Sequence, residues 1–340
     1  MALSDAIDRT AVRILALAML LTLPAAAAAA ETPPPVERPV RVEVGFFLVN
    51  LSGVAERSET FDADIYLDFR WRDPRLSFEG TEPRRFLEEA AIAQLEDIWW
   101  PQVELVNTAE PAITNRALTI GPDGSVEYLI GLTSEFRTNL DLRRFPFDSQ
   151  TLDIRVESFL WTVDEMEFVA NPRRLGFTPE STFEGLVPTK VEGIVRESRL
   201  EAWGEVFSEF VAEIHVERRA NFYLWTVFAP VSLIFLISCS VFAVHYENIH
   251  DRVGISLAAL LACIATQFAI SFNLPQISYL TIIDQIFLVT YGCIALGVLV
   301  STIQATLLKH DPVRAASIDR LAGLGLPVVF FALIALCVIW

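Results

Sequence analysis

Four long apolar stretches occupy the C-terminal third of the chain. None of them contains Asp, Glu, Lys or Arg, and each reaches the ~20 residues that a helix needs to cross a bilayer. They lie at residues 222–244, 253–274, 285–308 and 321–340. Because lipid cannot pair with free backbone groups, we expect a four-helix transmembrane bundle within a domain at residues 220–340.

The part of the chain before these stretches has a different periodicity. Short segments with alternating positions and many β-branched and aromatic residues are separated by turn signals such as Asp73-Pro74. These segments lie at residues 41–51, 60–71, 125–132, 150–159 and 207–216. The pattern predicts an all-β, immunoglobulin-like β-sandwich over residues 31–219, with one helix at residues 83–95.

The first thirty residues have the pattern of a secretory signal peptide. Arg9 and Arg13 flank the start of a short apolar core, and residues 25–30 offer a small-residue cleavage site. We therefore expect residues 1–30 to export the β domain. The loop at residues 309–320 carries three basic residues, which predicts a cytoplasmic position for this loop and an external C-terminus.

Composition excludes several classes of function. The formal net charge is −17, and residues 31–221 hold 20 basic against 36 acidic residues, so the exported surface repels nucleic acid. All four cysteines lie in the apolar part, which favours packing over a disulfide framework. The chain has no nucleophile–base set, metal-ligand spacing or phosphate loop, so we expect no enzyme activity, cofactor or specific metal site.

The segment Arg144–Gln150 (RFPFDSQ) resembles the signature loop of the pentameric ligand-gated ion channels, the Cys-loop receptor family. Thr138 and Leu152 occupy the positions of the loop cysteines, as in prokaryotic members, which lack this bridge. Further matches follow in the family's order: Trp99-Trp100-Pro101, Arg218, Pro230, Asn273-Leu274-Pro275, Pro312–Arg320 and Pro327-Val328-Val329-Phe330. The chain is thus similar to the bacterial proton-gated and amine-gated channels.

This resemblance implies an assembly and a location. Family members form rings of five subunits, so we expect a homopentamer around a central pore, with ligands bound between neighbouring β-sandwiches. The implied location is a bacterial plasma (inner) membrane, with the chain crossing the lipid bilayer several times. The N-terminal domain would then lie on the periplasmic or extracellular side.

The second apolar stretch carries the expected pore lining. Spacings of four and three residues keep one set of positions on a single helix face: Gly254, Ala258, Leu261, Ala265, Phe268 and Phe272. The resemblance makes this face the pore lining, and an apolar ring at Leu261–Phe268 would stop ions by dewetting. The alternative is that these residues face lipid or pack within the bundle.

Asp251 lies at the cytoplasmic end of the same helix. A ring of carboxylates attracts cations, so we expect selectivity for monovalent cations. The alternative role of Asp251 is to stabilise the positive end of the helix dipole. Arg252 would oppose cation passage if its side chain faced the lumen.

The resemblance also implies a contact through which the β domain opens the pore. Arg218 matches a basic residue that the family holds between acids at the domain junction. Here the matching acids are Glu56 and Asp148, and Pro275 and Tyr279 are expected beside them. The alternative is an ordinary surface ion pair of little energetic value.

Two stimuli remain open as the signal that opens the channel. Four residues match the ligand box of the amine-gated relative, namely Glu104, Glu157, Phe159 and Phe207, and Trp203 is a candidate for an additional aromatic wall. Aromatic faces and carboxylates suit a small amine, although aromatics in a sandwich often belong to its core. The second stimulus is pH, with Glu59 and His215 as proton-sensing candidates. The non-channel alternative is a membrane-anchored binding or sensor protein without ion conduction.

Overall fold

The computed structural model describes residues 32–179, 185–200, 204–245, 247–272, 277–307 and 312–339. The predicted signal peptide at residues 1–30, together with Trp203 and Pro275, lies outside these residues. Within them, ten strands come first and four long helices follow.

The strands form two sheets that pack as a β-sandwich. The six-stranded sheet has the order β3-β5-β6-β2-β1-β8, and the four-stranded sheet has the order β4-β7-β10-β9. The strands are β1 (Val40–Ala55), β2 (Thr60–Arg72), β3 (Arg84–Leu87), β4 (Val103–Leu105), β5 (Ala112–Ile120), β6 (Ser125–Arg137), β7 (Ser149–Thr162), β8 (Met166–Phe177), β9 (Leu186–Leu200) and β10 (Glu205–Arg218). All five predicted strand segments fall within strands of this set, and each of these five strands is longer than the predicted segment.

Alternation along each strand separates the core from the outer faces. In β7, Leu152, Ile154 and Val156 are at most 1% exposed, whereas Asp153 and Arg155 between them lie on the opposite face. Burial of these apolar side chains is the main force that holds the two sheets together. The same alternation places a row of charged side chains on the outer face of the four-stranded sheet.

The helix expected at residues 83–95 is only partly correct. Residues Arg84–Leu87 form β3, which pairs with β5, and helix α1 covers only Glu89–Glu96. Glu88 separates the two elements with φ of 48°, which breaks the helical backbone. Pairing with a neighbouring strand therefore overrides the local helix signal after Pro83.

Four helices after the sandwich are long and apolar enough to cross a membrane. They are α2 (Asn221–Ala243), α3 (Ile249–Ser271), α4 (Ile282–Leu307) and α5 (Pro312–Ile339). The last three begin three to nine residues before the apolar stretches predicted at 253, 285 and 321. The difference arises because charged residues, such as Asp251 in α3 and Asp319 in α5, lie inside these helices rather than before them.

Helix α2 is not uniformly α-helical. Residues Leu224–Phe228 form a π-helical turn immediately before the segment that contains Pro230. A proline lacks the N–H that would bond to the carbonyl four residues earlier, which favours such a local irregularity. Further along α2, Phe235 stacks on Phe330 of α5 with ring centroids 3.9 Å apart.

Candidate functional site

A row of three glutamates crosses the outer face of the four-stranded sheet. Glu157 of β7 lies opposite Glu104 of β4 on one side and opposite Glu209 of β10 on the other. Glu157 is only 8% exposed, and its Oε1 has no hydrogen-bond partner within the described part of the chain. Phe159, two residues further along β7, has a side chain that is 71% exposed.

The surroundings of Glu157 shift its carboxyl towards the protonated form relative to a free glutamate. Burial raises the pKa of Glu157 above its usual value, a hydrogen bond with Ser198 partly offsets this effect, and the carboxylates of Glu209 and Glu104 raise the pKa further. An ammonium group placed beside Glu157 would supply the missing positive charge. The arrangement is therefore chemically suited to a cation.

Glu209 differs from Glu157 because two arginines neutralise it. Its side chain is 1% exposed, Arg155 contacts it at 2.6 Å, and Arg196 contacts it at 2.5 Å. Glu209, Arg155 and Arg196 are not among the site residues predicted from the sequence. Alternating charged positions on β7, β9 and β10 were the available signal, but the cross-strand partners become evident only with the register.

The structure brings part of the predicted ligand box together. Glu104 and Glu157 are direct cross-strand neighbours, and Phe159 follows on the same strand. Phe207 is 4% exposed and lies opposite Thr162, so its ring is largely packed in the single chain. Trp203 lies outside the described residues.

At the end of the sandwich next to the helices, Arg218 lies between two carboxylates. Its Nε donates to Asp148 Oδ1 at 2.8 Å, and its Nη1 donates to Glu56 Oε1 at 2.7 Å. The side chains of Arg218 and Asp148 are 3% and 2% exposed, so this is a buried ion pair rather than a surface one. Gln150 Nε2 also donates to Asp148, at 2.5 Å.

Competing effects act on the guanidinium of Arg218. Burial alone would lower the pKa of Arg218, but the carboxylates of Asp148 and Glu56 outweigh this effect and raise it. The group therefore stays charged at any physiological pH. The arrangement ties the β1–β2 turn, the loop before β7 and the end of β10 to one fixed charge.

Aromatic and polar contacts continue this junction into the helices. Phe145 packs on Tyr223 of α2 with centroids 4.7 Å apart, and Phe147 packs on Phe228 of α2 at 5.8 Å. Tyr279, in the segment between α3 and α4, accepts a hydrogen bond from the backbone N–H of Leu142 at 3.1 Å. Pro275 lies outside the described residues. The segment around residues 142–148 therefore contacts both α2 and the α3–α4 connection.

Helix α3 presents two different faces. The predicted pore positions Leu261, Phe268 and Phe272 are 59%, 64% and 70% exposed in the single chain. Gly254, Ala258 and Ala265 of the same stripe are also exposed. By contrast, Ala259 and Cys263 are buried against the other helices. The stripe is therefore directed away from the subunit's own bundle.

Arg252 does not share the face of its neighbour Asp251. The Arg252 side chain is 0% exposed and contacts Asp319 of α5 at 2.9 Å, whereas Asp251 is exposed. The positive charge of Arg252 therefore lies inside the helix bundle and not along the predicted pore stripe. Asp251 is the charged residue that remains exposed in the first turn of α3.

Comparison with known proteins agrees with this geometry. The family model of the neurotransmitter-gated ion-channel ligand-binding domain matches residues 29–219, which is the β-sandwich and the segment leading into it. The chain belongs to the pentameric ligand-gated ion channel family. The sandwich is accordingly its ligand-binding domain, and the four helices form the membrane part of a channel subunit.

Relatives of this channel subunit occur in bacteria and animals. It is 28% identical over 304 residues to the proton-gated ion channel of Gloeobacter violaceus, covering 88% of this chain and 82% of the relative. It is 26% identical over 272 residues to the mouse γ-aminobutyric acid receptor subunit theta, covering 77% of this chain and 41% of that subunit. For the rat γ-aminobutyric acid receptor subunit pi the identity is 23% over 301 residues, covering 84% and 63%. These relatives are ion channels and not enzymes.

The two proton-sensing candidates of this channel subunit lie in different surroundings. Glu59, in the turn between β1 and β2, lines a cavity of ≈530 Å³ that also contains Asp153 and Arg137. His215 of β10 has its Nε2 3.1 Å from Glu192 and its Nδ1 3.2 Å from Thr151. The structure does not bring Glu59 and His215 into one site.

Asp153 is a titratable residue of the channel subunit that is not among the proton-sensing candidates predicted from the sequence. Burial raises the pKa of Asp153 above its usual value, Arg196 and Arg155 oppose this effect, and Glu209 adds to it. Asp153 shares the ≈530 Å³ cavity with Glu59.

Proposed function

We propose that this chain is the subunit of a homopentameric, cation-selective channel of a bacterial inner membrane, opened by a small amine that binds to the exported domain. Five copies of α3 would surround the pore, with the exported sandwich on the periplasmic or extracellular side. The observation that carries the amine proposal is the buried carboxylate of Glu157, whose Oε1 has no hydrogen-bond partner among the residues that the structure describes and which precedes the exposed Phe159 on β7.

An ammonium group fits this arrangement for two physical reasons. Its charge would compensate Glu157 and the exposed Glu104, and its N–H groups would satisfy the free carboxylate oxygen. The face of Phe159 can add a cation–π contact, which stabilises a desolvated cation further. Binding would remain sensitive to pH because a protonated Glu157 no longer attracts the cation.

Pore chemistry supports cation selectivity. The exposed carboxylate of Asp251, repeated five times, would form a negative ring at the cytoplasmic mouth. The acidic exported domain would raise the cation concentration at the outer entrance. Leu261 and Phe268 would form apolar rings that close the pore by dewetting.

Gating by protons is the second candidate function. A proton-gated bacterial channel is among the relatives, and the cavity that holds Glu59 and Asp153 offers titratable carboxyls in this chain. Protonation would remove negative charge from this cavity, which also holds Arg137, and so change the contacts next to the junction. The two stimuli act on different residues and can be separated by substitution.

The test is electrical recording from the full-length channel in planar bilayers or oocytes. Wild type is exposed to primary amines at constant pH and then to pH steps without amine. Glu157→Gln is expected to abolish the amine response while Glu197→Gln, an exposed neighbour on β9, keeps it. Amine responses that persist in Glu157→Gln contradict the site.

The recording also decides whether the chain conducts at all. Channels verified at the membrane surface that pass no current with any amine or at any pH would favour the anchored sensor protein without conduction. Responses to pH alone that disappear in Glu59→Gln or Asp153→Asn would favour proton gating.

A further inference from the structure

Arg252 forms a buried polar network at the start of the pore helix α3. Its Nε donates to the Val244 carbonyl at 3.1 Å, its Nη1 to Gln304 Oε1 at 2.8 Å, and its Nη2 to Asp319 Oδ2 at 2.9 Å. The Arg252 side chain is 0% exposed, and Asp319 is 14% exposed. A charge inside a membrane bundle is stable only when it is paired in this way.

The network joins four segments of the bundle. Val244 follows α2, Arg252 belongs to α3, Gln304 to α4 and Asp319 to α5. Gln304 Nε2 also donates to Asp319 Oδ1 at 3.1 Å and to the Ala315 carbonyl at 3.0 Å. Both carboxylate oxygens of Asp319 and the amide of Gln304 therefore have partners, so the network is well satisfied.

Helix geometry links this network to the neighbouring Asp251. Successive residues of an α-helix are rotated by about 100°, so fixing the direction of one side chain fixes that of the next. Arg252 is held inside the bundle, and Asp251 is exposed. If the first turn of α3 rotated, Arg252 would lose its partners while Asp251 would change direction.

We propose that Arg252 is a positioning residue for Asp251, and that Asp319, on a helix that does not carry the pore stripe, thereby determines ion selectivity. The inference rests on the proposed cation selectivity of Asp251. Asp319 holds Arg252, Arg252 fixes the first turn of α3, and this turn directs Asp251 towards the pore axis. Stability alone does not explain the ion pair, because well-packed apolar residues of similar volume are often equally stable.

The electrical test compares reversal potentials of full-length channels in a salt gradient. Asp319→Asn is expected to shift the reversal potential towards that of Asp251→Asn, because the first turn of α3 is no longer held. Asp319→Glu, which keeps the carboxylate, is expected to restore most of the wild-type value. Arg320→Gln, which removes an exposed charge from the adjacent position of α5, is the matched control and should leave the value unchanged.

A second variant covers the case in which Asp319→Asn does not assemble. Gln304→Leu keeps the Arg252–Asp319 ion pair but removes the bridging amide, so a smaller shift in the same direction is expected. Size-exclusion chromatography verifies the assembly of every variant. A wild-type reversal potential in assembled Asp319→Asn and Gln304→Leu channels overturns the inference.

A spectroscopic measurement makes the test independent of conduction. A spin label at Asp251→Cys, in a background without the four native cysteines, reports distances between subunits of the solubilised channel. Adding Asp319→Asn is expected to shift or broaden these distances, whereas Arg320→Gln should not. Unchanged distances overturn the positioning role. Changed distances together with a reversal potential that is insensitive to Asp251→Asn support positioning and reject only the selectivity proposal.

Discussion

Three buried charged side chains differ in how completely neighbouring groups balance their charge. Arg218 has two carboxylates, and Arg252 has a carboxylate, an amide and a carbonyl. Glu157 instead has a buried oxygen that no residue in the described segments pairs with, and two further acids lie next to it. Because an uncompensated buried carboxylate is unfavourable, Glu157 is the position at which a cationic ligand gains most.

At this residue scale we expect acidification to weaken the amine response. Protonation neutralises Glu157, and because the pKa of Glu157 is raised, the loss begins at a pH above the usual range for glutamate. The half-maximal amine concentration should therefore rise as the pH falls through this range. Dose–response curves at several pH values measure the effect, and a half-maximal concentration that falls on acidification would contradict it.

Removing Arg218 is expected to cause a large loss of stability and of gating. Arg218→Gln leaves Asp148 and Glu56 without their cation, and breaking a buried pair in this way costs about 3–5 kcal/mol. Thermal unfolding of the purified channel measures the loss of stability, and recordings measure the loss of gating. Arg219→Gln, which changes an exposed arginine one residue later, is the control and should behave as wild type.

At the scale of elements, sequence periodicity predicts the strands that show local alternation and the helices that consist of long apolar runs. The strands around residues 60–71 and 150–159 and the four apolar helices follow from such patterns. The short strand β3 does not, because Arg84–Leu87 becomes extended only through its pairing with β5. Local propensity is a weak constraint where a neighbouring strand supplies the hydrogen bonds.

The contacts of the charged residues also fall into two groups, those that a sequence motif predicts and those that no sequence pattern predicts. The predicted association of Arg218 with Glu56 and Asp148 came from a family motif, and the structure contains both contacts. The partners of Arg252 lie 52 and 67 residues away in the chain, and no periodicity connects them. The same holds for Glu209 and its two arginines, whose contacts depend on the strand register.

For helix α3 we expect the exposed stripe to control opening. Leu261→Ala or Phe268→Ala removes five large apolar side chains from the proposed constriction, so water should enter more readily and the open probability should rise. Single-channel recording measures this change. Leu336→Ala, an exposed leucine of α5, is the control because it lies outside the stripe. An unchanged open probability in both pore variants would place the gate elsewhere on the helix.

At the scale of the whole molecule, the proposed cation channel has two sources of negative charge, which would act on permeant ions over different ranges. The N-terminal part that we propose to be exported, residues 31–221, carries 16 more acidic than basic residues, spread over a large surface. Asp251 is a single exposed carboxylate per subunit at the start of α3. Salt screens exposed charges over a Debye length that falls from about 10 Å at 0.1 M to about 3 Å at 1 M.

This difference in range predicts how selectivity depends on salt. Preference that arises from the exported domain should disappear at about 1 M salt, whereas an ion passing directly beside the Asp251 ring still feels its charge. The wild-type cation-to-anion permeability ratio should therefore fall between low and high salt but remain above one. The Asp251→Asn channel should lose the cation preference that remains at high salt. It should keep most of the cation preference that salt screens. If Asp251→Asn and wild type have the same ratio at high salt, the carboxylate ring does not select ions, and cation preference belongs to the exported domain.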